Sequence, residues 1–347
     1  LSLEDRMTKK EDRRSRRSKA GAAVILAPVY IPALWRVLDH RRPEGEPLNG
    51  DGLDLEQIYF DSIDGTRLHM TACGKGKDTL FFVHGWTCNE TIFRYQQEHF
   101  SDRYRVYTLE LRGHGGSEIS ESLDYHPERL AEDLEAAIRL VDPESFAVGG
   151  HSMGGFTAFK WFERFGSEYE GRLKGLAIID STGTDLTEGI IFGSAIKRLY
   201  PLPVANVLLG VGHHNKISDD LKSAARESSL AYGLVRWGAF GKRPRGQHVE
   251  HVREMVLSTP MTTMALAAKS LFDFHYDYYL PNVDVPVVLL VGERDKLTSR
   301  QANERTAGLL PDARLKVFPD AGHCTLLERS EEFNAELDAF FDALFGA

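Results

Sequence analysis

The pentapeptide Gly150-His151-Ser152-Met153-Gly154 constrains this chain more than any other feature. It follows a short apolar run, Phe146–Val148, and precedes a segment in which Phe156, Phe159, Phe162 and Phe165 recur every third residue. Strand, tight turn and helix in that order are the context in which Gly-x-Ser-x-Gly makes a nucleophile elbow. So tight a turn tolerates almost no side chain at its flanks, which accounts for Gly150 and Gly154, with Gly149 and Gly155 adding room. Ser152 is then expected in a strained backbone conformation, its hydroxyl clear of the sheet and beside the unpaired N–H groups of a helix N-terminus.

The rest of the chain supplies the sheet that such an elbow needs. Apolar runs at Leu80–Val83, Val106–Leu109, Phe146–Val148, Leu176–Ile179 and Val287–Val291 are continuous rather than alternating, as in parallel strands covered on both faces. Leu55–Phe60 and Arg67–Ala72 read as a hairpin closed by Asp64-Gly65. Pro127 opens a helix that places Leu130, Leu134, Ile138 and Val141 on one face. Ser330 reads as the cap of a last helix burying Phe333, Leu337, Phe340, Phe341 and Leu344. Strands alternating with helices give an α/β fold with a mostly parallel central sheet and helices on both faces. Residues 185–280 interrupt that rhythm with an aromatic-rich, strand-poor segment that includes Phe192, Tyr200, Tyr232, Trp237 and Phe272. An insertion at the carboxyl end of a parallel sheet lies where ligands bind, so this one reads as a helical cap. The organisation is a basic arm, apolar segment and linker (1–50), a core in two parts (51–184 and 281–347) and the cap (185–280).

A serine hydroxyl is a poor nucleophile at neutral pH and needs a base, itself oriented by an acid. Asp295 follows the Val287–Val291 strand, 143 residues after Ser152, and His323 follows Arg314–Phe318, 28 residues further on. Both are expected on the rim that carries the serine. Asp180, at another strand end, is a rival acid, whereas Asp320 and Glu293 read as turn or surface groups. His213-His214 and the helically spaced His248 and His251 fall in the cap without the further ligands a metal needs. An oxyanion needs two converging N–H donors: one from Met153, the other from Trp86 in the His84-Gly85-Trp86 turn just past the first central strand. His84 reads as a structural hydrogen-bonding residue, and Cys88 and Cys324 lack the elbow context of a nucleophile.

Taken together, His84-Gly85-Trp86, Leu111-Arg112-Gly113-His114-Gly115-Gly116-Ser117, Gly150–Gly155, Gly292-Glu293-Arg294-Asp295 and Gly322-His323 resemble the α/β-hydrolase superfamily. The likeness is to the branch of monoacylglycerol-lipase-like esterases, lactonases and cofactor-free haloperoxidases, over roughly residues 55–345. It implies a Ser152–His323–Asp295 triad, an oxyanion hole from the N–H groups of Trp86 and Met153, and a structural loop at Arg112–Ser117. There Glu110 stands where the family commonly has Asp. A serine at the elbow argues against epoxide hydrolases and haloalkane dehalogenases, whose nucleophile at this position is a carboxylate. The expected activity is hydrolysis of carboxylic esters with apolar acyl groups, monoacylglycerols or lactones, through an acyl-enzyme. Acyl transfer or perhydrolysis on the same triad, and a non-hydrolytic ligand-binding protein of the same fold, are the alternatives. A triad implies no cofactor and no metal; the partner is a small-molecule ester.

Charge separates the chain into two regions. Residues 1–38 hold nine Lys/Arg against four Asp/Glu, so of the net −9 the remainder carries −14. So acidic a body makes nucleic acid an unsuitable partner. Ala20–Trp35 is uncharged, but as a helix it would reach about 24 Å, short of a ~30 Å hydrocarbon core, and Pro28 and Pro32 interrupt it. With arginines at both ends, the segment suits contact with a membrane surface through residues 1–42. A short signal anchor, a cleaved signal and, in a cytoplasmic protein, an arm that packs on the body or stays mobile are the other readings. Three scattered cysteines (Cys73, Cys88, Cys324) make no disulfide framework.

Overall fold

Asp64-Gly65 closes the first hairpin. The Gly65 N–H donates to Ser62 O (2.9 Å), the Ser62 N–H to Thr66 O (2.8 Å), and Gly65 takes the positive φ of 82° that the turn requires. The flanking strands are β1 (Glu56–Asp61) and β2 (Arg67–Cys73), paired antiparallel. The computed structural model describes residues 52–185, 229–271 and 274–346. The basic arm and apolar segment, together with Phe192, Tyr200, His213, His214 and Phe272, lie outside the described residues. Among the described residues, no helix is long and apolar enough to cross a membrane.

Six more strands complete one sheet: β3 (Thr79–Val83), β4 (Arg105–Glu110), β5 (Phe146–His151), β6 (Leu173–Ile179), β7 (Val287–Gly292) and β8 (Ala313–Phe318). The order is β1-β2-β4-β3-β5-β6-β7-β8, antiparallel through β4 and parallel from there on. The continuous apolar runs have a simple cause. Phe81 and Val83 of β3 enter one core with Val148, Ile178 and Leu289, while Leu80 and Phe82 enter the other with Ala147, Ile179 and Leu290. Successive side chains point to opposite faces, and both faces are dry.

Helices cover those faces. α1 (Arg94–Phe100) follows β3; α2 (Pro127–Val141) and α3 (Met153–Phe165) flank β5. Pro127 occupies the first turn of α2, and Leu130, Leu134 and Ile138 are buried as its spacing requires. Within 185–280 lie α4 (Ser229–Ala239), α5 (Gly246–Ser258) and α6 (Met261–Leu271). α7 (Arg300–Leu309), α8 (Thr325–Glu328) and α9 (Ser330–Phe345) close the chain. One expectation fails here: Ser330 is the first helical residue of α9 rather than its cap. α8 ends at Glu328, so Arg329 alone makes the bend between the helices and takes the cap position without a side-chain hydrogen bond. Phe333, Leu337, Phe340 and Phe341 are buried as expected, and Leu344 is half-buried.

Candidate active site

Parallel order brings the ends of five strands to one rim: His84 after β3, Ser152 after β5, Asp180 after β6, Asp295 after β7 and His323 after β8. Ser152 adopts φ 52° and ψ −117°. That positive φ is costly for a residue with a side chain and persists only because its surroundings over-determine it. The Ser152 N–H donates to Ile179 O (2.9 Å), and its carbonyl accepts the Ser181 hydroxyl (2.7 Å) and the Gly155 N–H (2.9 Å). A Cβ on Gly154 would lie 2.0 Å from Val83 O, and one on Gly150 2.3 Å from Gly154 O, so the elbow closes only with glycine at both places.

Asp295 and His323 meet. The His323 Nδ1–H donates to Asp295 Oδ2 at 2.8 Å, both side chains being almost wholly buried. The carboxylate is fixed by the turn it begins: its Oδ1 accepts the N–H groups of Leu297 (2.8 Å) and Thr298 (2.9 Å). The Thr298 hydroxyl donates to Oδ2 (2.8 Å) and lies 3.4 Å from His323 Nδ1. Burial works against the imidazolium of His323, yet the Asp295 carboxylate, by charge and hydrogen bond, and Asp180 more than offset it. The histidine pKa therefore lies above its ordinary value. The link to the elbow is His151, whose Nε2–H donates to the His323 carbonyl (2.9 Å) and whose ring centroid lies 5.2 Å from that of His323. Burial, then the charge of His323, depress the His151 pKa to about 3, so it remains a neutral strut.

The His84-Gly85-Trp86 turn packs against the serine. A Cβ on Gly85 would come within 2.8 Å of Ser152 Cβ and 3.0 Å of His151 Nδ1, so only glycine permits this approach. Two contacts fix the Gly85–Trp86 peptide: its carbonyl accepts from His84 Nδ1–H (2.7 Å) and from the Cys88 N–H (3.1 Å). In a trans peptide the N–H points opposite to the carbonyl, so the Trp86 N–H faces away from those donors. His84 can hold this position only when neutral, because its Nε2 accepts the Leu111 N–H (3.1 Å). Burial, helped by His114, keeps its pKa well below the usual value. His114 acts in the same way one step along, its Nδ1–H on Arg112 O (3.0 Å) and its Nε2 accepting the Thr87 N–H (3.3 Å). The Trp86 indole N–H donates to Met264 O of α6 (3.0 Å), tying the turn to the inserted helices. Met153 is buried at the start of α3, where first-turn N–H groups lack helical partners.

The rivals have other work. Asp180 Oδ2 accepts the N–H (2.8 Å) and hydroxyl (2.7 Å) of Thr325, and Oδ1 accepts the Gly292 N–H (3.2 Å). It thus braces the loops carrying Asp295 and His323, and burial with the nearby Asp295 raises its pKa to about 8. Asp320 is a surface partner of Arg294 (2.9 Å), and Glu293 accepts the Asp320 N–H (3.1 Å). His248 lies 3.0 Å from the Tyr95 hydroxyl and His251 3.1 Å from that of Thr91, both packing α5 against the segment after β3. No metal-binding cluster occurs among the described residues. Burial pushes the Cys88 thiol up to about 12 and the Cys324 thiol well above its ordinary value. The Arg112–Ser117 loop is structural: Arg112 is wholly buried, bidentate on Asp133 (2.7 and 2.6 Å) and bonded to Asp64 (2.8 Å). Glu110 accepts from His69 Nδ1–H (2.6 Å) and the Gly116 N–H (2.6 Å).

Sequence reasoning missed Thr298, Asp180 as a brace, and His151 as a strut. Only Thr298 had a signal, since Asp-x-x-Thr is a side-chain-capped turn in which the aspartate collects the N–H groups two and three residues on.

The model of the alpha/beta hydrolase family matches residues 80–336. The chain belongs to that family. Among curated relatives, it is 26% identical over 339 residues to epoxide hydrolase 3 of Xenopus tropicalis, covering 90% of this chain and 88% of that one. It is likewise 26% identical over 279 residues to the pimeloyl-[acyl-carrier protein] methyl ester esterase of Nitrosomonas europaea, covering 78% and 98%. A thermophilic esterase from Thermogutta terrifontis superimposes with a TM-score of 0.65 at 24% identity over 83% of this chain and 99% of the other, a likeness of fold.

Proposed function

We propose that this alpha/beta hydrolase is a serine hydrolase that cleaves carboxylic esters through an acyl-enzyme on Ser152. One observation carries the reading: the strained serine at φ 52° stands on the same rim as an Asp295–His323 pair held at 2.8 Å, with His151 bridging the two. His323 takes the hydroxyl proton on Nε2 as Ser152 attacks the acyl carbonyl, and then gives it to the leaving alkoxide. Asp295 fixes the tautomer by holding Nδ1–H and stabilises the imidazolium that forms. The N–H groups of Trp86 and Met153 receive the developing oxyanion. Water, deprotonated by the same histidine, releases the acid. A carboxylate nucleophile of the kind epoxide opening uses has no counterpart at position 152, which favours the esterase-named relative over the epoxide hydrolase as a guide to chemistry.

Residues 185–280 act as a cap over this rim; the Trp86–Met264 bond supports that reading, as does their insertion between β6 and β7. Their aromatic content favours an apolar acyl group, and residues 1–42 supply a membrane contact. A fluorophosphonate probe, followed by p-nitrophenyl esters of graded acyl length beside monoacylglycerols and lactones, tests the reading. Ser152 should be labelled and Ser152→Ala should not. An unlabelled, folded wild-type chain would identify a ligand-binding protein instead, and product analysis with added alcohol or peroxide would separate hydrolysis from transfer.

A further inference from the structure

Helix α4 is inside out for a helix on an acidic, water-facing body. Leu230, Leu234 and Trp237 follow one another at i, i+4 and i+7 and are 40%, 53% and 46% exposed, while Tyr232 and Gly233 supply the buried side. That spacing places the three on one face. At the Trp237 end of the stripe, Lys296 sets its ammonium 5.0 Å from the ring centroid and donates to the Trp237 carbonyl, and its neighbour Leu297 is exposed. A contiguous apolar stripe of this kind marks a docking surface, whereas scattered exposed side chains do not.

The charge around the stripe identifies the occupant. Residues 229–249 contain Arg236, Lys242, Arg243 and Arg245 and not one carboxylate, in a chain with 51 acidic residues against 42 basic. Lys242, Arg243 and Arg245 are exposed at the end of α4, and Lys296 and Arg294 lie beyond the stripe. Among the described residues, the acids of this neighbourhood are Glu293, Asp320, Glu328 and, beneath Tyr232, Glu250, which is buried and paired with Arg253. Asp320 is paired with Arg294, and Glu328 is turned inward onto the N–H groups of Gly241 (3.0 Å) and Gly322 (2.7 Å). An apolar helical face bordered by exposed lysine and arginine suits the interface of an anionic bilayer, where leucine and tryptophan enter the acyl boundary and cations meet the headgroups.

We propose that the Leu230–Leu234–Trp237 face of α4, with its basic border, docks on an anionic lipid bilayer. This surface is separate from residues 1–42 and independent of how Ser152 reacts. Its position relative to the site has a consequence: Ala239, the last residue of α4, accepts the His323 N–H (2.8 Å), and a Cβ on Gly322 would lie 2.4 Å from the Phe240 carbonyl carbon. The docked helix therefore ends on the histidine loop and holds the rim of the site against the bilayer, where an apolar ester is stored.

The test uses the full chain carrying Leu234→Cys, labelled with the environment-sensitive fluorophore NBD. Cys73, Cys88 and Cys324 are buried, so the new thiol reacts selectively. Lys77→Cys, exposed at the opposite end of the sheet, serves as control. On phosphatidylglycerol-containing vesicles, the label at 234 should shift to shorter wavelength and be quenched by brominated acyl chains, while the label at 77 stays aqueous. Phosphatidylcholine vesicles or high salt should abolish the response. In a second variant, Leu234→Glu should lower vesicle partitioning by about tenfold to a hundredfold relative to wild type, with labelling by fluorophosphonate unchanged. A label at 234 that remains aqueous on floated protein overturns the proposal. So does one that is already apolar in buffer, which would place another part of the chain on the stripe, or, if the signal rises with protein concentration, a second copy.

Discussion

At the scale of single residues, what distinguishes Ser152 from the other serines is backbone strain combined with neighbours that admit no alternative. Ser152→Ala removes the oxygen and leaves the elbow intact. Ester turnover should fall by about 10⁴- to 10⁶-fold with the melting temperature preserved, as measured by p-nitrophenyl ester kinetics beside thermal denaturation. The histidine gives a pH signature whose sign follows from its surroundings. On the proposed mechanism only neutral His323 accepts the serine proton, and its pKa is raised, mainly by Asp295 acting against burial. The acid limb of kcat/KM should therefore lie above the ordinary histidine value of about 6.5. In Asp295→Asn that support is gone, so the limb should move to lower pH while the plateau drops about 10⁴-fold. A limb that stays in place would show that Asp295 does not control the base. The strand-end positions of Ser152 and Asp295 were legible because each follows a continuous apolar strand, Ser152 in a turn that tolerates few alternatives; that of His323 followed from chain order, since it comes after the mixed strand β8. His151 and Asp180 were not legible, since a buried imidazole reaching a carbonyl 172 residues away leaves no local trace.

At the scale of elements, the continuous apolar runs gave the strands correctly, and for a reason visible in the packing. Phe81 and Phe82 are neighbours in sequence but sit in different cores, so no alternation could appear. The cap of α9 was misassigned because Ser330 satisfies the local pattern for a helix start, while the bend after α8 leaves room for only Arg329 between the helices. The pairing of the Trp86 turn with α6 was beyond reach, since the indole meets a backbone carbonyl on an element whose placement no local pattern fixes. That contact makes a prediction about elements: Trp86→Phe keeps a ring but loses the donor to Met264 O. If the bond holds the turn in register, kcat should fall roughly tenfold, about 1.4 kcal/mol in the barrier, with a smaller change in KM. A change confined to KM would assign the indole to the wall of the acyl site instead. Asp180 braces two loops at once, so Asp180→Asn, which sets an amide against donors, should lower stability by about 1–3 kcal/mol in urea unfolding.

At the scale of the molecule, the charge map sets two basic regions, residues 1–38 and 229–249, apart from an acidic body, and both proposed membrane contacts rest on them. An acidic body repels an anionic surface, yet residues 1–38 carry an excess of five positive charges and residues 229–249 carry four more with no acid among them. Two modest contacts on one molecule reinforce each other, because the first raises the effective concentration of the second. Removing residues 1–42 should therefore weaken flotation on anionic liposomes by more than either contact alone would suggest, without abolishing it. The residual binding should be steeply salt-sensitive, since it rests on exposed lysines and arginines screened over about 8 Å at physiological ionic strength. Flotation equal in the full and shortened chains would remove residues 1–42 from membrane contact. Flotation lost entirely would leave the α4 face too weak to act alone. Catalysis supplies the control: fluorophosphonate labelling of Ser152 should be identical in both chains, because residues 80–336 carry all five strand ends that build the rim.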